Sequence, residues 1–421
     1  MKQQKNLTVS QNSLYNTVGS IFYCVCQWVI SALLVVHLSP KSMSVQNAGM
    51  LQLAISVTNI FNAIGLYSLR TYQISDVKNQ YSNGDYIGVR FITSAISVVS
   101  CVAYTAVLGY SFKNVSCITF YMIYKLSEIF SDVLHGIDQK NRRMDYVGIS
   151  YVLRGIVGII AFAATLLITG NIVISTAVLA VATILVVVFY DCSCTTQFGS
   201  IKPIFNRQVI TTLLITCLPA VISTAAFTAI VSIPRQMLER SYGEETLGYY
   251  GTISTPLIVV QVMATSIFYP MFTELAQFYE EGKTKAFAKQ IMKNLIILAG
   301  ISLVVCLCVM LFGEFAVSLV FGQAFKPYTH LMYGIVGCTT MYVLSWLCTN
   351  ILIIVRKLNT CMITSLLALG VSCLTAMPLI KTFGMNGVSF AVMIAYAIHI
   401  VVCVIIIIKI LRKKQSKTQN R

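Results

Sequence analysis

GIVGIIAFAATLLITGNIVISTAVLAVATILVVVFY, residues 155–190, contains no Asp, Glu, Lys or Arg. A helix needs about 20 mostly apolar residues to cross a hydrocarbon core of about 30 Å. The run is long enough for two such helices, and Gly170–Asn171 in its middle is a turn signal. Strands of a membrane barrel alternate apolar and polar residues. IVGIIAFAATLLI at 156–168 does not alternate, and neither does VVCVIIII at 401–408. The stretch predicts a helical hairpin in a bilayer.

Outward from it, nine further stretches of 20 or more residues lack those four charged types: 6–40, 42–69, 91–112, 208–234, 246–273, 294–313, 327–355, 358–380 and 382–408. Another apolar segment, about 115–135, is interrupted by Lys125, Glu128 and Asp132. With the hairpin counted as two, an all-α polytopic membrane protein of twelve transmembrane helices is expected. The first apolar segment lacks a small-residue cleavage site and reads as a true span, not a cleavable signal.

Composition agrees. Of 421 residues, 57% are apolar and 10% charged, and the mean hydropathy is +0.79. A soluble domain carries about 25% charged residues. A soluble enzyme, a disordered chain and a nucleic-acid-binding domain are excluded. A net charge of +16 would suggest nucleic acid in a soluble protein, but here its position along the chain decides its meaning. With the N-terminus in the cytoplasm, 22 of the 30 Lys and Arg fall in inner segments, Arg70 and Arg90 among them. Six fall in outer segments, and Lys125 and Arg154 fall within spans. Both termini are therefore expected in the cytoplasm. Most of the 14 cysteines lie in spans as small apolar residues. Cys192 and Cys194, in an expected cytoplasmic loop without a neighbouring His, are a poor metal signal, and no metal is expected. No P-loop, H-E-x-x-H or G-x-S-x-G occurs, so neither ATP hydrolysis nor enzyme chemistry is expected.

The polar, Pro-containing loop 191–208 divides six spans from six and reads as a linker between an N-terminal lobe, 1–195, and a C-terminal lobe, 196–421. Gly49-Met50-Leu51 and Gly248-Tyr249-Tyr250 hold equivalent places at an offset of 199 residues. The same offset sets Tyr86–Ile92 opposite Lys285–Ile291. Each half has an even number of spans, so the repeat is parallel, about an axis along the membrane normal.

The fourth span is the exception in charge. Tyr121, Lys125, Glu128, Asp132 and His135 recur at spacings of 4, 3, 4 and 3. At 3.6 residues per turn they form one stripe. Charges inside a span are costly, and they face a cavity or one another. Arg154, two turns into the fifth span, is expected either to pair with Glu128 or Asp132 or to join them in a substrate or coupling-ion site. Arg70, ending the second span, is either an inner-face anchor or a phosphate contact. Arg235 and Arg240 go against the positive-inside trend and suggest a role at the outer mouth. His37 and His399 read as interhelical hydrogen-bonding groups or titrating ones. Pro219 and Pro256 read as tolerated kinks or as hinges.

Four segments carry a resemblance to a known family: SQNSLYNTVGS at 10–20, LRTYQISDVKNQYSNGDYIGVR at 69–90, ERSYGEETLGYYGTIS at 239–254 and LVFGQAFKP at 319–327. With the span count and the six-plus-six repeat, they resemble the polysaccharide flippases of the multidrug, oligosaccharidyl-lipid and polysaccharide exporter superfamily. The resemblance implies two lobes in a V-shaped exporter in a bacterial cytoplasmic membrane. It also implies flipping of a polyprenyl-diphosphate-linked oligosaccharide, such as an O-antigen, capsule or teichoic-type unit, by alternating access. Lys125, Arg154, Arg70, Tyr121, Arg235 and Arg240 are then candidates for the headgroup, and Glu128, Asp132 and His135 for a coupling H+ or Na+. The implied partners are the lipid-linked oligosaccharide, membrane lipid and a polysaccharide polymerase or other assembly protein; no nucleic acid and no further cofactor are expected.

Two other functions compete. A multidrug antiporter for organic cations should have a net acidic, aromatic cavity, against which Lys125 and Arg154 stand. A polysaccharide polymerase or ligase should need a large outer loop, and no outer loop here exceeds about 15 residues by span-length accounting.

Overall fold

A computed structural model of the chain describes residues 8–76, 79–268 and 271–419, and it contains no strand among them. α1 (Val9–Trp28) starts at a capping box, in which the Thr8 hydroxyl accepts from Gln11 N and the Gln11 side chain accepts from Thr8 N. It continues through a π-helical turn, Val29–Leu34, into α2 (Val35–Leu38). There follow α3 (Ser44–Leu66), the short α4 (Leu69–Ser75), α5 (Asn83–Val107), α6 (Phe112–Lys140), α7 (Met144–Thr169) and α8 (Ile172–Val186). The turn between α7 and α8 is the expected one: Gly170 is left-handed at φ 61° and the Asn171 side chain caps α8. A second π turn, Val187–Asp191, extends α8 into α9 (Cys192–Thr195). Cys192 and Cys194 are thus helical and lie before the linker, and no grouping of metal-ligating side chains occurs among the described residues.

The remainder is α10 (Arg207–Tyr242), α11 (Glu244–Phe268), the short α12 (Met271–Glu280), α13 (Thr284–Phe321), α14 (Leu331–Ile354), α15 (Leu358–Phe383) and α16 (Met385–Gln419). Two long helices, one short and four long follow one another in each half, as a duplicated unit requires. The packing repeats as well. α6 contacts α3, α5 and α8, and α14 contacts α11, α13 and α16. Ten helices are long and apolar enough to cross a membrane by length and composition. α6, with its charged face, and α11 complete twelve long helices among the described residues. The chain is a multi-pass membrane protein.

Packing divides the chain after Val221, inside α10. In the N-terminal unit, α1 and α7 touch at Gly19 and Gly148. A Cβ built on Gly19 would lie 2.7 Å from the Gly148 backbone. Between helices in lipid, such close backbone approach supplies the dispersion contact that water-driven burial supplies elsewhere. The segment after α9 is a strap across the start of α5. Ile204 N donates to Gly84 O at 2.9 Å, and a Cβ on Gly88 would collide with Ile204 O. The first turns of α10 belong to the same unit: Leu213 packs beside Leu69 and Tyr86, and Cys217 and Val221 surround Tyr67.

The loop before α5 is organised by Asp76. Its carboxylate accepts from Gln80 N (3.0 Å), Tyr81 N (3.2 Å) and the Tyr86 hydroxyl (3.0 Å). Lys140 closes the loop by donating to Asp76 O at 3.0 Å and Asn79 Oδ1 at 2.8 Å. Burial pushes the Asp76 carboxyl up, but these donors and the nearby Lys140 charge outweigh it and hold its pKa below the usual value. A depressed folded pKa stabilises the fold above the ordinary carboxylate value of about 4, and that gain fades as pH falls through the folded value. Asp76→Asn is therefore expected to cost about 1–2 kcal/mol at pH 7. In thermal melts of both proteins the gap should be constant above about pH 5 and should narrow as pH falls below about 4; a gap independent of pH would contradict the assignment.

Candidate functional site

The charged stripe of α6 divides among three neighbours. Facing α1, Glu128 accepts from Lys125 Nζ (2.7 Å), the Tyr23 hydroxyl (2.7 Å), Gln27 Nε2 and the Tyr124 hydroxyl (3.3 Å). Lys125 lies 5.7 Å from the Tyr121 ring centre and 5.4 Å from that of Tyr124, distances at which an aromatic face attracts a cation. The side chains of Lys125 and Glu128 are 8% and 16% exposed, so the pair is largely buried.

Asp132 turns instead toward the junction of α3, α4 and α5. Arg90 Nη2 donates to it at 2.7 Å, and Arg70 Nη1 stands 3.7 Å away. Arg90 is not the inner-loop anchor expected from sequence. It is fully buried in α5, and its Nη1 also donates to Gly65 O and Leu66 O, both at 2.7 Å. These are carbonyls of the last turn of α3, which has no helical donors of its own to offer them. The chain then passes through two left-handed residues, Tyr67 at φ 51° and Ser68 at φ 49°, and re-enters a helix carrying Arg70. Two consecutive non-glycine residues there are strained, and Arg90 secures the break. Arg70 Nη2 donates to Gln139 Oε1 at 2.8 Å.

His135 faces α7 and the second π turn. Its Nε2 lies 3.8 Å from Asp191 Oδ1, beyond hydrogen-bond range, while Ser131 donates to Asp191 Oδ2 at 2.7 Å. The His135 ring meets Tyr151 edge-on at 5.2 Å.

Arg154 links the first and third groups without an ion pair. No carboxylate oxygen among the described residues lies within 4.0 Å of its nitrogens, so the expected pairing with Glu128 or Asp132 does not form. Its guanidinium lies over Tyr23 (4.9 Å) and Tyr151 (5.3 Å), whose rings stack at 5.6 Å. It is 2% exposed, and its Nε and Nη1 have no hydrogen-bond partner.

Arg235 and Arg240 belong to the C-terminal unit. Arg235 is half-buried, donates to the Ser254 hydroxyl at 3.1 Å and lies 5.7 Å from the Tyr250 ring centre. Arg240 is exposed. His399, buried, bonds the Ser345 hydroxyl through Nδ1 at 2.6 Å and is an interhelical hydrogen-bonding group. Sequence reasoning missed Tyr23, Gln27, Arg90 and Asp191. Tyr23 and Gln27 are one helical turn apart on the first span, the spacing that could have found them.

The whole-chain fold is that of MATE-type transporters. An inward-facing multidrug resistance MATE family transporter of the MOP superfamily superposes with a TM-score of 0.63 at 14% identity, over 98% of this chain and 97% of the other. An outward-facing conformation of such a transporter gives 0.60 at 12% identity, over 99% and 100%. The Vibrio cholerae MATE transporter VcmN gives 0.62 at 12% identity, over 96% of both chains. In sequence, the chain is 24% identical over 395 residues to the Staphylococcus aureus capsular polysaccharide biosynthesis protein CapF, spanning 93% of this chain and 97% of that one. No family model matches. Both kinds of likeness agree with the resemblance carried by the four sequence segments.

Proposed function

We propose that this protein flips a polyprenyl-diphosphate-linked oligosaccharide from the cytoplasmic to the outer leaflet by alternating access, coupled to H+ or Na+. The observation that carries the proposal is Arg154. A buried cation without a carboxylate beside it is costly, the more so with two donors unpartnered. Such a group suits a protein whose ligand brings the anion. A diphosphate does so, and Arg and Lys are the side chains that grip it. The similarity to a capsular polysaccharide biosynthesis protein points the same way.

In this proposal Lys125, Arg70 and Tyr121, all in the N-terminal unit, contact the headgroup; Arg235 and Arg240, in the C-terminal unit, are the candidates for a role at the outer mouth. Arg154, over the ring stack of Tyr23 and Tyr151, gives its two unpartnered donors to the same headgroup. Glu128 binds Lys125 while the diphosphate is absent. Protonation of Glu128, or its capture of Na+, would free the ammonium for phosphate. Asp132 and His135 serve the same exchange nearer the inner face. The protein works in the bacterial cytoplasmic membrane with both termini inside, and a polymerase takes the unit on the outer face.

The test is a strain lacking this gene, with surface polysaccharide measured and lipid-linked intermediates assigned to each membrane face. Lost display with complete units stranded on the inner face is the expected result. Complete but unpolymerised units on the outer face would replace the proposal with an enzyme. Unchanged display with altered drug sensitivity would replace it with a cation antiporter.

A further inference from the structure

The C-terminal unit contains an apolar slot of about 420 Å³ between α12, α13, α14 and α16. Leu275, Ile291, Leu347 and Ile407 line it, one from each helix. Met292 and Ile408, 57% and 43% exposed, form its open side. Its lining includes residues from the lysine-rich start of α13 and from the basic end of α16. Lys285, Lys289 and Lys293 recur every four residues and so share one face of α13, and all three are exposed. Lys409 and Arg412, also exposed, flank the slot residues Ile408 and Leu411. The nearby ion pair of Lys283 with Glu281 uses none of these five cations.

Asn294 adds a second, independent observation. It lines the slot, is 3% exposed, and its Oδ1 has no hydrogen-bond partner. A half-turn of the amide would present Nδ2 there instead, so the group can accept or donate. Asn294 directly follows Lys293 on α13, about 7.5 Å further along the helix than Lys289 at 1.5 Å per residue.

We propose that this slot holds an anionic phospholipid of the cytoplasmic leaflet, with one acyl chain between the four helices. The argument is the pairing of a basic rim with an apolar cleft that holds one unsatisfied amide. An anionic phospholipid presents a phosphate, ester carbonyls and hydrocarbon. The slot offers five exposed cations beside its mouth, and within its apolar lining it offers Asn294, with Ala288, Ile291 and Met292 before it along α13 and Leu295 after it. A polyprenyl diphosphate carries no ester carbonyl for that amide. Basic clusters at the cytoplasmic ends of membrane helices attract anionic lipid. The proposal rests on the membrane orientation given above but not on the transported substrate.

Native mass spectrometry of the full-length protein, titrated with phosphatidylglycerol and with phosphatidylcholine of the same chains, tests it. Retention of phosphatidylglycerol about tenfold over phosphatidylcholine is expected. K289Q/K293Q/R412Q changes only exposed side chains and should abolish the preference. Ala288→Trp, at the mouth of the slot, should reduce retention of both lipids. Equal retention of the two lipids by the unaltered protein would overturn the proposal. So would displacement of phosphatidylglycerol by an equimolar polyprenyl phosphate, which would give the slot to an isoprenoid chain. Neither readout depends on flipping, so a failure here leaves the transport proposal standing, and the reverse holds too.

Discussion

Arg90→Ala is expected to destabilise the N-terminal unit by about 3 kcal/mol, the low end of the cost of breaking a buried ion pair. The low end applies because Asp132 is 21% exposed and keeps Arg70 at 3.7 Å. The end of α3 is weakened as well. Gly65 O keeps Thr93 Oγ1 at 2.9 Å, but Leu66 O loses its Arg90 donor. The left-handed step at Tyr67–Ser68 then lacks its clamp. Arg90→Lys should recover only part of the loss, because an ammonium has no planar fork to reach two carbonyls and a carboxylate together. Thermal unfolding and trypsin sensitivity of the purified protein measure both. A change below about 0.5 kcal/mol for Arg90→Ala, the scale of an ordinary surface substitution, would show that the break is held by other contacts.

The second large effect is functional. Glu128→Gln should lower export by tenfold to a hundredfold, the equivalent of about 1.4–3 kcal/mol for one hydrogen bond to a charged group. The single variant is ambiguous, because it also leaves Lys125 unpaired in the span. The double variant Lys125→Ala/Glu128→Gln removes both charges, and a double-mutant cycle separates the two causes. If the pair only holds helices together, the double variant should regain stability and export alike. If the pair exchanges a coupling ion for the headgroup, stability returns and export does not. Export at the normal rate by the double variant would remove Lys125 and Glu128 from the mechanism. Lys125→Ala, Asp132→Asn and Arg154→Ala should each impair export without preventing membrane insertion, and normal export by all of these variants would dispose of the candidate site.

The spans were legible because charge-free runs of such length have few other uses, and the hairpin at Gly170–Asn171 stands where its turn residues put it. The fourth span was legible through its 3.6-residue rhythm in spite of its charges. The grouping of those charges was not legible. From Tyr121 to His135 a helix rises about 21 Å. Residues along such a stripe meet different neighbours: Glu128 meets α1, Asp132 meets Arg90, and His135 meets the π turn. Arg90 looked like an anchor because it follows a polar loop, although the capping box of Ser82 and Asp85 begins its helix at Asn83. Asp191 looked like the first residue of a linker. The π turn that carries it into the protein has no sequence signature, since it depends on the packing of α8.

α10 has a consequence for how this protein could be divided. The strap at 199–206 resembles a natural seam, polar and between two sets of six spans. A gene cut there would give the second product Arg207–Val221, although Leu213 and Cys217 complete the packing around Leu69 and Tyr67 in the first. The first product would keep an apolar groove unfilled, and the second would carry a helix end with nothing to cover it. The halves are therefore poor cassettes at that seam. An exchange between relatives that leaves both products whole must carry the first four turns of α10 with the N-terminal piece.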